Sequence, residues 1–351
     1  MKKTFKFILC LALVCASLFL TSCGTYREVR SSREERRIVA TVGDYEVKYE
    51  LVRALFHTVK AEVDGGDDTV WTSDKAGEYF EKAMALVDDY LLTIYSTFAY
   101  AESIGIDPYS DEIDDLVDYY VTTDIEGGYI NGNSVQGYGS KEAYLEALAK
   151  YYYTDSANRF MYRYTATTSR IHEYYIQTFA NGTIQVSDSI LRDFLVGPDV
   201  IHVHWVYRDK TESFTEKEME ETVRAALLAD QGSRDVLDTV RSLTLYLPDS
   251  NMMNGFYLTA NTLSMQYQDF AAIAKGLSPY EVSEVVEAGG GYYVLVGMER
   301  DVNILGTDSG MDDITQLYLE YRMYNAIAEK EAELPIAYNS NFDQYIGKVL
   351  K

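Results

Sequence analysis

The chain has 351 residues, 47% of them hydrophobic, enough to bury more than one core, so two domains are predicted. Its formal charge of −24 makes nucleic acid an unfavourable partner, because neutralising phosphates needs a cationic surface. The three cysteines, Cys10, Cys15 and Cys23, all lie at the N-terminus, which excludes a disulfide or a cysteine-ligated metal site in the rest of the chain.

Met1-Lys2-Lys3-Thr4-Phe5-Lys6 is cationic, and Phe7 to Leu20 is an unbroken apolar run of signal-peptide rather than membrane-spanning length. Leu20-Thr21-Ser22-Cys23 then fits a lipoprotein processing box: a small residue before a cysteine whose thiol takes a diacylglycerol, with cleavage freeing Cys23 as the new N-terminus. Residues 1–22 are therefore expected to be a leader and Cys23 the lipidation site. The product would be extracytoplasmic and held by its lipid to the membrane, at the outer face of the cytoplasmic membrane. A plain secretory signal with an incidental cysteine is the alternative. Loss of Lys2, Lys3 and Lys6 takes the charge from −24 to −27. Gly24 to Arg37 holds five arginines against three glutamates and reads as a tether (residues 23–37) beside an anionic surface, or as a solvated linker.

Ile38 to Val42, Gly43-Asp44 and Tyr45 to Val47 spell a hairpin. A helix follows with Val52, Leu55, Phe56 and Val59 on one face. A stronger one spans about Ser73 to Ile104, where Phe80, Met84, Val87, Leu91, Ile94, Phe98 and Ala101 recur every three or four residues before Gly105 and Pro108. Further helices are predicted over Asp111 to Tyr120, Lys141 to Tyr151, Asp155 to Phe179 and Val186 to Leu195, with Gly127 to Gly139 a glycine-rich loop. Ile201 to Tyr207 is strand-like. Helical patterns follow near Thr215 to Ala229 and Arg234 to Ser242, then the turn Asn254-Gly255-Phe256, a short helix near Met265 to Ala274, a stretch from Leu277 to Val286 and a closing strand, Tyr292 to Val296. Met311 to Glu333 is again amphipathic, through Ile314, Leu317, Tyr321, Tyr324 and Ile327, and stops before Pro335. About 50 C-terminal residues of this kind form no core alone, so the helix is expected to pack back on the N-terminal helices.

These residues carry a resemblance. Leu277-Ser278-Pro279-Tyr280-Glu281-Val282-Ser283-Glu284-Val285-Val286, then Gly291-Tyr292-Tyr293-Val294, resembles the end of the parvulin-type peptidyl-prolyl isomerase domain, and the strand with His204 resembles its opening strand. Met265 and Phe270 fall where that family has pocket methionine and phenylalanine residues. Its turn aspartate falls on Met253 or Asn254, and its second histidine on Tyr293. The hairpin-then-helices order, with Gly137-Tyr138-Gly139-Ser140-Lys141-Glu142-Ala143-Tyr144-Leu145 before a long helix, is similar to the N-terminal lobe of SurA and PrsA type foldases. The resemblance implies an α+β protein: a helical chaperone lobe from residues 38–195, completed by a C-terminal helix in 303–351, with a parvulin-like α+β domain inserted over 196–302. It also implies unfolded or partly folded exported proteins as partners and no cofactor.

Turning an Xaa-Pro bond needs no nucleophile or metal, since the barrier of about 18 to 20 kcal/mol comes from amide resonance. A dry pocket of Met265 and Phe270 would grip the proline, with His204 in its floor. Alternation puts His202 on the same face, as a stand-in for the histidine replaced by Tyr293, or makes both histidines ordinary core residues. No third ligand accompanies them, and the other histidines, His57 and His172, fall in the distant helical lobe, so no metal site is expected. The 32 tyrosines, clustered at Tyr119-Tyr120, Tyr151-Tyr152-Tyr153, Tyr162, Tyr164 and Tyr174-Tyr175, read as helix packing or as a wettable aromatic surface for peptides. Three functions follow: a membrane-anchored foldase with a partly degenerate isomerase domain, a holding chaperone without catalysis, or a solute-binding or structural surface lipoprotein. Two lobes of alternating strands and helices would mark a solute-binding protein, and the long helices before residue 196 oppose it.

Overall fold

The computed structural model describes residues 26, 28–130, 133–211, 214–244, 255–259, 268–288 and 291–349. The expected leader, Cys23, Met253, Asn254 and Met265 lie outside the described residues. The protein is α+β and divides into two compact units. One takes the described residues up to Ile171 and those from Ile327, and the other runs from His172 to Ala326.

In the first unit, β1 (Ile38–Val42) and β2 (Tyr45–Lys48) pair as a hairpin. Helices α1 (Tyr49–Asp64) and α2 (Ala76–Ser103) pack on it. Val52, Leu55, Phe56 and Val59 of α1 and Val87, Leu91, Ile94 and Phe98 of α2 are all buried, the faces that their spacing marks. Each such side chain contributes roughly 1.5 to 3 kcal/mol of apolar burial. Gly105, at φ +85°, ends the helix. Next, α3 (Asp111–Glu126) starts at Ser110, whose hydroxyl accepts the Ile113 N–H, and runs past the expected stop at Tyr120 because Val121 and Ile125 continue its buried face against Tyr144. The expected glycine-rich loop instead holds a small hairpin, β3 (Gly128–Ile130) and β4 (Asn133–Val135). Gly127 and Gly137 cross at its base, where a Cβ on Gly137 would lie 2.1 Å from the Gly127 nitrogen. Ser140 caps α4 (Lys141–Lys150), and α5 (Asp155–Ala180) follows.

The described part of the expected tether is tied down. Val29 N–H donates to Asp155 Oδ2 at 2.7 Å, the Tyr26 carbonyl accepts from Arg159, Ser31 donates to the buried Glu50, and Arg53 pairs with Glu35 at 3.0 Å.

The second unit begins within α5 and includes α6 (Asp188–Val196), capped by Ser187. Then come β5 (Val200–Asp209), α7 (Glu216–Glu218) with a Thr215–Glu218 capping box, a π-helical turn (Met219–Arg224), α8 (Ala225–Ala229) and α9 (Val236–Leu243). After these lie β6 (Phe256–Thr259), α10 (Gln268–Gly276), β7 (Val282–Ala288) and β8 (Gly291–Gly297). The four strands form one antiparallel sheet in the order β6-β5-β8-β7. Each face is covered. Val206, Tyr292, Val294 and Val296 lie against Met219, Val223 and Val240, and on the other side Ile201, Val203 and Leu295 lie against Ala274.

Helix α11 (Asp308–Glu331) follows. Its Ile314 and Leu317 pack with Leu191 and Leu195 of α6, with Val200 and with Leu305, so the second compact unit is wider than residues 196–302. Tyr175 of α5 donates to the Arg322 carbonyl at 3.5 Å, alongside His172 and Glu320 at 3.7 Å. From Ile327 the chain belongs to the first unit again. There β9 (Ile336–Tyr338) adds a third strand beside β1, and α12 (Ser340–Val349) buries Phe342 in the α1–α2 core.

Candidate functional site

Strand β5 carries both candidate histidines. Alternation sets His202, His204 and Val206 on one face and Ile201, Val203 and Trp205 on the other. His202 and His204 therefore share a face, between the cluster under α8 and α9 and the cluster of α6 and α11 around Val200. Both are buried, His204 at 2% exposure. The Trp205 backbone N–H donates to His204 Nδ1 at 2.8 Å. His202 Nδ1 bonds the Glu299 carbonyl, and its ring stacks on Tyr257 at 3.9 Å and 11°. The Tyr257 hydroxyl accepts the Asp301 N–H at 2.9 Å.

Tyr293 is not part of this group. The β5–β8 register pairs Tyr207 with Tyr293 and Arg208 with Tyr292, so Tyr293 stands on the opposite face from His204, its ring 4.8 Å from that of Tyr207. The tyrosine of β8 on the histidine face, with Val294 and Val296, is Tyr292, buried at 4%. A single network of His204, His202 and Tyr293 is thus not formed, because neighbouring strand residues point to opposite sides. Met265 lies outside the described residues, and so does the side chain of Phe270, whose backbone is in α10.

A cleft opens where β5 begins and β8 ends, lined by His202, Gly255, Tyr257, Arg234, Tyr280 and Lys275 among others. Gly255, at φ +77°, is required here: a Cβ would lie 3.0 Å from the Val203 carbonyl and 3.3 Å from His202 Nε2. Tyr280 holds a left-handed backbone, φ +66°, fixed by its N–H on the Gly297 carbonyl at 2.8 Å. Burial, and then its bond to Glu299, raises the Tyr280 hydroxyl pKa, so it stays a neutral donor. Sequence reasoning missed Tyr257, Tyr280 and Glu299. Only the alternation of β6 could have flagged Tyr257, and nothing local flags the other two.

The first unit has its own groove, of about 650 Å³, lined by Leu51, Tyr95, Tyr109, Val117, Phe160 and Arg163 among others. Tyr109 is 52% exposed, with the Arg163 guanidinium 4.7 Å above its ring. The tyrosine clusters divide between roles. Tyr120 and Tyr175 are buried, Tyr162 donates to Asp124 at 2.5 Å, and Tyr119, Tyr129, Tyr138, Tyr151 and Tyr152 are exposed. Among the described residues no group of histidine and acidic side chains could hold a metal ion, and no helix is long and apolar enough to cross a membrane.

No protein-family model and no curated protein matches the chain. Solved structures of PrsA are similar to it. PrsA from Bacillus subtilis is 16% identical with a TM-score of 0.25, covering 85% of this chain and 91% of its own. The foldase protein PrsA from Streptococcus pneumoniae is 11% identical at 0.26, covering 93% and 100%. The peptidylprolyl isomerase PrsA from Bacillus anthracis is 13% identical at 0.26, covering 70% and 96%. Overlaps this loose give no residue-by-residue correspondence.

Proposed function

We propose that this chain is an extracytoplasmic foldase, anchored through a lipid on Cys23, that binds unfolded exported proteins and carries a parvulin-like peptidyl-prolyl isomerase domain of weak activity. The observation that carries this reading is the second unit's antiparallel sheet. Its opening strand holds His204, and its last two strands hold the Glu281 to Val286 and Gly291 to Val294 motifs as one hairpin beside it. The mixed apolar and polar lining of the cleft suits a peptide, and the exposed tyrosines of the first unit offer wettable aromatic area for unfolded chains. The antiparallel sheets do not favour a solute-binding protein of doubly wound lobes.

One observation favours a second reading, a holding chaperone without catalysis: Tyr293 does not share a face with His204. A buried network that loses one polar member forfeits about 1 to 3 kcal/mol, roughly tenfold to hundredfold in rate when that stabilisation acts in the transition state. Proline-limited refolding of a model substrate, followed beside suppression of its aggregation, separates the two. Weak acceleration that falls in His204→Ala, with aggregation suppression retained, supports the foldase. Suppression with no acceleration supports the holding chaperone, and neither effect would refute both.

A further inference from the structure

Residues 28–32 have no regular secondary structure and carry a single apolar side chain, Val29, which is 38% exposed. Polar bonds therefore supply much of their attachment to the first unit. Two main-chain groups of the segment are bound by one pair of side chains on α5: the Val29 N–H donates to Asp155 Oδ2 at 2.7 Å, and the Tyr26 carbonyl accepts from Arg159. The Tyr26 ring packs beside Val121, Ile125 and Tyr144, and its hydroxyl donates to Glu126 at 3.0 Å. The Ser31 hydroxyl donates to Glu50, which is 1% exposed and also accepts from Thr154 at 2.7 Å. The α5 pair is oriented by the body of the unit: Asp155 accepts the Tyr144 hydroxyl at 2.9 Å, and Arg159 pairs with Asp118 at 2.5 Å. What the segment adds is one peptide N–H for the carboxylate and one peptide carbonyl for the guanidinium. Every polypeptide carries those two groups, so the pair can receive another chain in place of this one. Asp155 is 3% exposed and the Arg159 side chain 12%, and leaving either bond unmade costs about 1 to 3 kcal/mol, which favours an occupied site. A segment held by a few hydrogen bonds and one ring is also of the kind that opens locally without global unfolding.

We propose that Asp155, Arg159 and Glu50 form a binding site for the main chain of a peptide with an aromatic anchor, and that the chain's own N-terminal segment fills this site in cis, in competition with incoming segments. The seated segment sets the ligand class: an aromatic residue, a free N–H three positions on and a hydroxyl two positions beyond that. Tyr26, Glu50 and Arg159 also line the groove that holds Leu51, Tyr95 and Phe160, so a segment bound here adjoins its aromatic lining. The inference rests on the foldase reading only in naming unfolded chains as the natural ligands. A tethered segment acts at an effective concentration on the order of millimolar, so a free peptide that binds the vacant site ten times more tightly than that is weakened roughly tenfold by its presence.

The probe is a fluorescein-labelled peptide with the sequence of residues 26–32, Tyr-Arg-Glu-Val-Arg-Ser-Ser, titrated with the full mature chain. Val29→Pro with Ser31→Ala releases the tethered segment, since proline has no N–H for Asp155 and alanine no hydroxyl for Glu50, and leaves the site residues untouched. A circular dichroism melt verifies that the variant is folded. The released variant is expected to bind the peptide roughly tenfold more tightly than wild type. The same peptide N-methylated at its valine lacks the N–H that Asp155 accepts, and it should lose at least tenfold on the released variant, as removal of a hydrogen bond to a charged group does. Equal binding by wild type and the released variant, or equal binding of the methylated and unmethylated peptides, would overturn the proposal. Either result beside retained suppression of client aggregation leaves the foldase reading standing. The expected peptide results without aggregation suppression by either protein would overturn the foldase reading and keep the cis-occupied site.

Discussion

Asp155→Asn should loosen the N-terminal segment from the first unit. Asp155 is 3% exposed and accepts three donors: Val29 N–H at 2.7 Å, the Tyr144 hydroxyl at 2.9 Å and Arg159 Nε at 3.3 Å. An asparagine keeps one acceptor oxygen and turns an NH2 group toward the other donors, so at least one is left unsatisfied. Tyr144 is fully buried, and its hydroxyl also accepts from Asn158 at 3.1 Å, so it cannot swing to water. One orphaned buried donor costs about 1 to 3 kcal/mol, and loss of the charge-assisted bond to Arg159 adds to it. Arg159 keeps Asp118 at 2.5 Å, which limits the loss, and the sum is about 2 to 4 kcal/mol. Urea unfolding should show a lower midpoint at unchanged slope. Trypsin should cleave after Arg30 and Arg33 at least tenfold faster, because the opened population follows the free energy. An unchanged midpoint together with unchanged cleavage would refute the view that these bonds hold the segment.

Gly291→Ala should destabilise the second unit by about 2 kcal/mol or more in urea unfolding, since the added Cβ falls 2.6 Å from the Arg208 carbonyl and forces backbone movement. Asp88→Asn should raise the melting temperature near pH 8. Burial lifts the Asp88 pKa despite the Tyr338 hydroxyl bond at 2.6 Å, so wild type gains stability as pH falls through that raised value, and the advantage of the variant should vanish toward the ordinary carboxylate range near 3.8; a constant advantage would contradict the burial argument. Cys23→Ala should leave an unprocessed or unanchored precursor, and unchanged labelling by a radioactive fatty acid would refute lipidation.

How far the sequence was legible depended on whether the signal was periodic. The α1 and α2 faces, 16 and 28 residues of three-four spacing, could be read because burial selects that spacing directly. The strand β9 could not: three residues after Pro335 are too few to show alternation, and their pairing with β1 is decided by partners about 300 positions away. The hairpin inside Gly127 to Gly139 was hidden for a related reason, since glycine marks permissive backbone without saying which path the chain takes. The basic segment before Ile38 looked like linker because composition reports charge and not partners, and Asp155 and Glu50, which hold it, are distant in sequence. In the cleft region, alternation puts His202 and His204 on one face, while Tyr257, Tyr280 and Glu299 come from three separate stretches that only the fold assembles.

The position of Tyr293 shows why motif likeness and chemistry separate. A strand side chain is committed to a face by parity, so aligning the closing motif one residue differently exchanges Tyr293 for Tyr292 and moves the ring to the opposite side of the sheet. Measured by register with β5, Tyr292 lies on the same face as His204. It is buried there among Met219, Val223 and Val294, with the Lys210 ammonium 5.9 Å above its ring. That surrounding is mainly apolar, so Tyr292 strengthens packing beneath the sheet and supplies no second imidazole. His204 spends one ring nitrogen on its own strand, and His202 spends one on Glu299. Each ring thus bonds a backbone group, and His202 lines the cleft. On the proposed foldase reading, peptide binding would draw on the cleft's shape and its apolar lining, neither of which depends on a coupled histidine pair. On the same reading, rate enhancement would depend on polar groups placed to favour a twisted amide, so the tyrosine in β8 is expected to bear on turnover more than on capture of clients.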